Sequence, residues 1–330
     1  MAGSPNQALV EALAAARTRG SWNERFVHWE RPASDSEEAI IDRAAGMVRA
    51  ALAQNTWLES EGVEVRPQGS YHNNTNVRRE ADMDLCAWHP GIMVWLADGL
   101  SRDAVYHQLD YTNTGHRNPD IASRMRLEIR AALAERFGRG NITLGSKAFT
   151  ISGIPGSRAD ADIVPALRLD YVVQRPGATL LSIPTLEVIE GVVIYCTDGR
   201  QIFNFPKQHH ANGKAKRART RHRFKKVVRT LKRMRDELVA LGKLRPGKAA
   251  SFLIESLVYR VEDSYFVQGE DRYDRIRHVL VRMGEQLASS EFITGAREIN
   301  DVKLLFGSHQ PWTPDDAIAF VVAAWRRLEA

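Results

Sequence analysis

Gly69-Ser70-Tyr71-His72-Asn73-Asn74-Thr75-Asn76-Val77-Arg78-Arg79-Glu80-Ala81-Asp82-Met83-Asp84 is the stretch whose reading decides the fold. Asp82 and Asp84 flank one residue and run into Leu85-Cys86-Ala87-Trp88, an apolar sequence that predicts a β-strand. Alternate strand residues share a face, so both carboxylates point the same way. Crowded carboxylates repel, and a cation between them keeps both ionised. Hard oxygen ligands on one face suit Mg²⁺, which favours carboxylates together with substrate phosphates. Upstream, Gly69-Ser70 follows a short predicted strand containing Val63 and Val65. Free of bulk, that pair offers backbone N–H groups and a hydroxyl to a phosphate tail.

A lone Asp-x-Asp is ordinarily a solvated strand edge or turn. A two-metal site needs a further carboxylate on a second strand. The run Arg158-Ala159-Asp160-Ala161-Asp162-Ile163-Val164-Pro165-Ala166-Leu167 supplies it, read as an extended segment that Pro165 closes. An acidic residue on the core side of an apolar strand is costly unless it is paired or metal-bound. Asp82, Asp84 and Asp162 are therefore the candidate catalytic and metal-binding residues. Asp160 is expected to be structural or solvent-exposed.

These residues resemble a family. The Gly-Ser pair, the Asn73-Asn74-Thr75-Asn76 stretch, the Asp-x-Asp and Asp162-Ile163-Val164-Pro165-Ala166 look like the bacterial cGAS/DncV-like nucleotidyltransferases, the CD-NTases. Those enzymes belong to the polymerase-β-like nucleotidyltransferase superfamily. Phe205-Pro206-Lys207-Gln208-His209 with Asn212-Gly213 resembles the family's Pro-Lys-Gln-His…Asn-Gly segment, and Arg223-Phe224-Lys225-Lys226-Val227-Val228-Arg229 the start of its long basic helix. Ser251-Phe252-Leu253-Ile254-Glu255, and Leu304-Leu305-Phe306-Gly307 with Trp312, resemble its helical C-terminal half. The similarity runs from about residue 35 to the end.

Composition agrees with that picture. The chain has 330 residues, 44% hydrophobic and 26% charged, as in ordinary globular proteins. No run approaches the roughly 20 apolar residues of a membrane span, and Met1-Ala2-Gly3-Ser4-Pro5 opens no signal-peptide pattern. The two cysteines, Cys86 and Cys196, sit in strand-like apolar segments and read as small buried hydrophobes, which points to a reducing cytoplasm and leaves no structural zinc site. About a dozen of the 22 residues from Lys214 to Arg235 are Lys or Arg. Phe224, Val227, Val228, Leu231, Met234 and Leu238 recur at helical spacing toward a core, and Lys225, Arg229 and Lys232 share another face. A basic face suits an enzyme that binds two NTPs. Lys214–Arg223, after a Gly213 hinge, reads as loop-like; nucleic-acid binding is not favoured.

Periodicity predicts helices near residues 6–28 and 35–60, the second capped by Ser34 or Ser36 with Asp35, Glu37 and Glu38 in its first turn. Strands near 62–67, 82–89, 142–152, 158–165 and 192–196 are expected to form a mixed sheet, with a helix near 118–137 and a turn at Asp198-Gly199. From residue 214 strands disappear, and helices near 216–241, 250–261, 271–289 and 313–328 follow, the last capped by Thr313 with Pro314 in its first turn. The fold class is α+β: a polymerase-β-like core over residues 1–205, N-terminal helices included, and a helical C-terminal domain over 206–330.

The resemblance implies an active site in the cleft between these halves. It implies two Mg²⁺ ions (Mn²⁺ may substitute) on Asp82, Asp84 and Asp162, and ATP or GTP, or pyrimidine NTPs, as substrates. Ser70 on the Gly69 loop would hold the β and γ phosphates. By similarity Lys232 and Ser251 would reach the triphosphate, with Phe252 stacked on a base or else in the core. The implied product is a cyclic di- or trinucleotide second messenger made in CBASS antiphage defence and bound by a downstream effector. A HORMA-type activator or a ubiquitin-transferase-like partner belongs to the same expectation, and the small final residue Ala330 is compatible with C-terminal conjugation. The competing readings are a related nucleotidyltransferase acting on RNA or a small molecule, and a non-catalytic nucleotide- or RNA-binding protein.

Overall fold

A computed structural model of the chain describes residues 5–77, 83–112, 117–175, 185–269 and 271–329, with side chains of the first helix from Ala15 onward. The chain divides into two compact units: a sheet unit drawn from Ala33–Asn73 and Arg78–Lys207, and a helical unit drawn from Met1–Pro32, Asn74–Val77 and Gln208–Ala330. The first helix, α1 (Pro5–Trp29), belongs to the helical unit.

The sheet unit opens with α2 (Asp35–Ala53), started by a capping box in which Ser34 and Glu37 satisfy each other's backbone N–H. Asn55 then accepts from Leu58 N and starts a new helix, α3 (Thr56–Ser60). The single helix expected over 35–60 is therefore two. A short strand β1 (Glu64–Pro67) leads into a one-turn helix α4 (Gly69–His72), and β2 (Met83–Leu96) follows. Next come α5 (Arg102–Gln108), α6 (Asn118–Phe137), and the strands β3 (Ile142–Leu144), β4 (Phe149–Ile151), β5 (Ala161–Arg175), β6 (Thr185–Tyr195) and β7 (Gln201–Asn204).

Among the described residues the strands make one seven-stranded mixed sheet in the order β1-β2-β5-β4-β3, with β6 also on β5 and β7 beyond it. Its spine is the parallel β2–β5 pair, in register from Met83↔Ala161 to Leu96↔Val172 with a bulge after His89. Such strands are buried on both faces; Leu85 and Ile163 are fully buried on one side. Cys86, Trp88, Val164, Ala166, Val192, Ile194 and Cys196 form a second cluster. Both cysteines are thus small buried hydrophobes, and burial pushes the Cys86 thiol up to about 12.

Pro165 does not close β5 as expected. The strand continues to Arg175 because β4 covers only 161–163 and β6 starts at Leu167, so the missing N–H falls in the gap between two neighbours. The expected strand over 142–152 is a hairpin, turned where Gly145 N donates to Ala148 O. Asp198-Gly199 makes the expected turn, and the strand after it, β7, was absent from the sequence reading.

The helical unit adds α7 (Pro206–Arg219), α8 (Phe224–Ala240), α9 (Ser251–Arg260), α10 (Asp263–Val267), α11 (Arg272–Leu287), α12 (Ser290–Gly295) and α13 (Pro314–Glu329) to α1. The stretch expected to be a loop after a Gly213 hinge is the helix α7. Gly213 is buried within that helix, where a Cβ would meet Ile299 Cδ1 at an ordinary contact distance of 3.5 Å, so it is no hinge. Phe224, Val227, Val228, Leu231, Met234 and Leu238 of α8 enter the core as their spacing predicts. Thr313 caps α13 by accepting from Asp316 N.

α1 packs here, and not with the sheet, because of its aromatic ridge. Trp22 and Phe26 lie in the core with the α8 residues, and Trp29 packs against it. Arg25 sits 4.5 Å over the Trp22 ring and 4.7 Å over Trp29, and it pairs with Glu237 of α8, which also holds Arg327 of α13. Trp22→Ala should accordingly destabilise the protein by about 3–5 kcal/mol in urea unfolding. A loss below about 1 kcal/mol would show that α1 is not part of this core.

Candidate functional site

In the sheet unit the sequence motifs converge on one spot. β1 pairs antiparallel with β2 as far as Pro67↔Leu85, and Gln68 N then donates to Asp84 O at 3.0 Å. That bond delivers the Gly69-Ser70 turn to Asp84. Gly69 has φ +70°, and a Cβ there would lie 1.8 Å from Asp84 Oδ2 and 2.7 Å from its Cβ. Glycine is required on both counts. Asn73 closes the turn, its side-chain amide donating to Gly69 O at 2.9 Å. Tyr71 anchors it from outside through Asp42, 3.0 Å away.

On the spine of the sheet Asp84 stands directly opposite Asp162. In-register neighbours share a face, about 4.8 Å apart from strand to strand, so the two carboxylates lie side by side, both half-buried. Thr150 is the partner of Asp162 on β4, and its hydroxyl donates to Asp162 Oδ1 at 2.6 Å. Sequence reasoning missed Thr150, since only the β4–β5 register brings it there. Asp160 lies just outside β5, exposed, and accepts from Gly153 N at 2.6 Å, a loop-closing role. Asp82, the third expected carboxylate, lies outside the described residues. Among those described, no group of three His, Cys, Asp or Glu is gathered for a metal ion; Asp84 and Asp162 are a pair.

The remaining candidates belong to the helical unit. Ser251 begins α9, and its Oγ accepts from Arg235 Nη1 at 2.8 Å. Phe252, half-buried beside the core, has ring centroids 5.2 Å from His209 and 6.1 Å from Trp312. The basic face of α8 is buried. Lys225, Arg229 and Lys232 are 8%, 6% and 0% exposed. Lys232, expected at a triphosphate, donates its ammonium to Thr75 O at 3.0 Å and lies 4.0 Å from Glu255 Oε2. Arg229 donates to Asn74 O at 2.6 Å and to Glu30 O at 2.8 Å, and burial pushes its guanidinium down to about 10. A cation this deep is tolerated only with acceptors around it, and Asn74, Thr75, Glu30 and Glu255 provide them.

Glu255 is the centre of this network. It is 3% exposed; Oε1 lies 3.0 Å from His209 Nε2, and Oε2 accepts from the Thr75 hydroxyl at 3.1 Å. Burial opposes its charge, yet His209, Lys232 and Thr75 together hold the carboxyl down at about 2. The sequence signal for it was a single Glu on an otherwise apolar turn of α9.

The cGAS/DncV-like nucleotidyltransferase C-terminal helical domain is the family whose profile matches this chain, over residues 211–329. The chain is 31% identical over 321 residues to the cyclic dipyrimidine nucleotide synthase CdnE of Legionella pneumophila, covering 93% of this chain and 98% of that protein. It is 28% identical over 306 residues to the cyclic dipurine nucleotide synthase of Elizabethkingia meningoseptica, covering 92% and 97%. The solved structure of Elizabethkingia meningoseptica CdnE with GTP and Apcpp superposes with a TM-score of 0.69 at 28% identity, over 93% of this chain and 99% of that one. The Rhodothermus marinus CdnE c-UMP-AMP synthase shares the fold, with a TM-score of 0.74 at 22% identity, over 92% and 95%. No helix among the described residues is long and apolar enough to cross a membrane.

Two outcomes follow from the geometry. Gly69→Ala should displace the Asp84 side chain in a crystal structure and cost about 1–3 kcal/mol through backbone strain; an unmoved Asp84 at unchanged stability would contradict the close approach. Glu255 has its folded pKa below the ordinary carboxylate value, so its contribution is present above pH 4.5 and is lost as pH falls toward about 2. Between about pH 5 and pH 2 the Glu255→Gln variant should therefore lose less urea stability than the wild type, by on the order of 3 kcal/mol. Equal slopes would mean that Glu255 is not held ionised.

Proposed function

The chain belongs to the cGAS/DncV-like nucleotidyltransferase family, and we propose that it joins NTPs into a cyclic di- or trinucleotide by successive nucleotidyl transfers in one site. The observation that supports this reading most directly is Asp84 paired with Asp162 on adjacent parallel strands, with the Gly69 backbone pressed against Asp84.

The donor set fits a divalent cation. Two carboxylates stand side by side, and Thr150 occupies one oxygen of Asp162 only; among the described residues the other oxygen has no hydrogen bond. Asp84 and Asp162, with Asp82 from the sequence, would hold Mg²⁺, which supplies neutralisation of the triphosphate and a lowered pKa for the acceptor hydroxyl. Gly69 lets the backbone come close, and the Ser70 hydroxyl hydrogen-bonds the β and γ phosphates. By the family resemblance, Ser251 would offer a hydroxyl to the triphosphate and Phe252 a ring face to a base. Lys232 holds Thr75 of the segment after Ser70 and, as the family resemblance implies, would also reach the triphosphate.

In each transfer the acceptor hydroxyl oxygen bonds to the donor's α-phosphorus while the bond to the β-phosphate bridge oxygen breaks. The hydroxyl proton leaves to a base or to water, and pyrophosphate departs. Positioning of donor and acceptor supplies much of the acceleration. The last transfer, the second for a dinucleotide and the third for a trinucleotide, closes the ring. Released into the cell, such a product serves as a second messenger to an effector protein in antiphage defence, with a HORMA-type or ubiquitin-transferase-like protein as regulatory partner.

Purified protein incubated with all four labelled NTPs and Mg²⁺ or Mn²⁺, without nucleic acid, should yield a phosphatase-resistant cyclic species. Mass spectrometry then reads its bases and ring size. Asp84→Ala and Asp162→Ala should each lower its formation by about 10²-fold or more. An acceptor-dependent tailing of added RNA, or product from the double variant, would move the reading to another transferase class or to a contaminant.

A further inference from the structure

Three of the sequence motifs meet in one buried network. They are Asn73-Asn74-Thr75-Asn76, Pro206-Lys207-Gln208-His209 and Ser251-Phe252-Leu253-Ile254-Glu255. Each contributes a member: Thr75, His209 and Glu255, with Lys232 of α8 as the fourth. Thr75 is fully buried, and Asn76 and Val77 are 4% and 1% exposed. The segment Asn74–Val77 is thereby packed as part of the helical unit, although the residues on either side of it in sequence belong to the sheet unit.

The segment's place in the chain gives this packing a consequence. Asn74 follows Asn73, whose side chain holds Gly69 O, and Gly69 lies against Asp84. A displacement of Thr75 therefore passes along two peptide bonds to the residue that closes the phosphate turn. The carbonyl and the hydroxyl of Thr75 are both used: the carbonyl accepts from Lys232, and the hydroxyl donates to Glu255. A buried ammonium and a buried carboxylate fix that geometry more firmly than neutral groups would, since each leaves a costly orphan if the other shifts.

We propose that Glu255 is a positioning residue for nucleotidyl transfer: bonded to Thr75 and backed by His209 and Lys232, it fixes Asn74–Val77 and, through Asn73, the Gly69-Ser70 turn. This rests on the transferase reading. Glu255 touches no reacting atom; its effect runs through the segment it holds.

The experiment compares wild type, Glu255→Gln and Thr75→Val. Thr75→Val deletes only the hydroxyl and leaves the ionic pair in place, so it decides the matter if Glu255→Gln fails to fold. Pyrophosphate release gives kcat and KM, and amide hydrogen exchange is read at residues 74–77 and across α8 and α9. Misplacing a reacting group by about 1 Å costs up to about 10²-fold. The expected result is kcat reduced about tenfold or more with KM within about threefold. Exchange should accelerate at 74–77 while α8 and α9 stay protected. Unchanged exchange at 74–77 in a folded variant overturns the proposal, whatever happens to the rate. So does a wild-type kcat in the presence of faster exchange. A wild type that releases no pyrophosphate from any NTP defeats the transferase reading instead, and the exchange arm still reports whether Glu255 holds the segment.

Discussion

Strands β2 and β5 lie parallel with Asp84 opposite Asp162, and the rest of the sheet unit is arranged around the demands of that pairing. Two carboxylates on neighbouring strands repel when both are charged, a cost that a cation between them relieves. The strands accept the cost because their other positions are satisfied. Met83, Leu85, Ala161 and Ile163 bury almost completely on one face. Farther along the acidic face, Cys86, Trp88, Val164 and Ala166 join the second apolar cluster. The carboxylates therefore sit at the start of both strands, at the edge of an apolar stripe, where solvent and a cation can reach them. Parallel pairing with in-register acids is a geometry that an Asp-x-Asp alone does not provide.

The turn before β2 is fitted to the same pair. Gly69 is needed for φ and for clearance from Asp84 at once, so no other residue satisfies that position. Asn73 and Tyr71 hold the turn from its two ends, the first on Gly69 O and the second on Asp42. Ser70 consequently comes from a turn with three fixed points. Preorganisation of this kind reduces what substrate binding must supply.

The acidic motifs were legible in the sequence because strand period two is a local property; Asp84 and Asp162 needed only alternation and apolar neighbours to be placed. Extents were less legible. β5 continues through Arg168, Asp170 and Gln174, residues that break an apolar run, because Arg168 pairs with Asp170 at 2.8 Å and Tyr111 donates to Asp170 at 2.8 Å. Those partners lie far off in sequence or on an alternate strand position, out of reach of any short window. Thr150 was hidden for the same reason. Lys225, Arg229 and Lys232 were placed on one face of α8 by period 3.6, and that much holds. Whether a basic face meets solvent depends on what covers it, and here Glu30, Asn74, Thr75 and Glu255 do.

Helical and sheet-forming sequence are not simply laid end to end in this chain. α1 joins the helical unit through Trp22, Phe26 and Trp29, more than 190 residues ahead of α8 in sequence. Asn74–Val77 joins it through the Asn74 and Thr75 carbonyls, which carry no side-chain signature for a sequence reader to find, and through the Thr75 hydroxyl on Glu255. Both excursions follow from one rule: buried polar groups and large aromatic surfaces go where partners exist, whatever the chain order. For α1 the consequence is stability. For Asn74–Val77 it is more, because the excursion is four residues long and bounded on one side by Asn73, which closes the Gly69 turn. A segment that short has little slack with which to absorb a shift, so a displacement of Thr75 is carried along the backbone to Asn73.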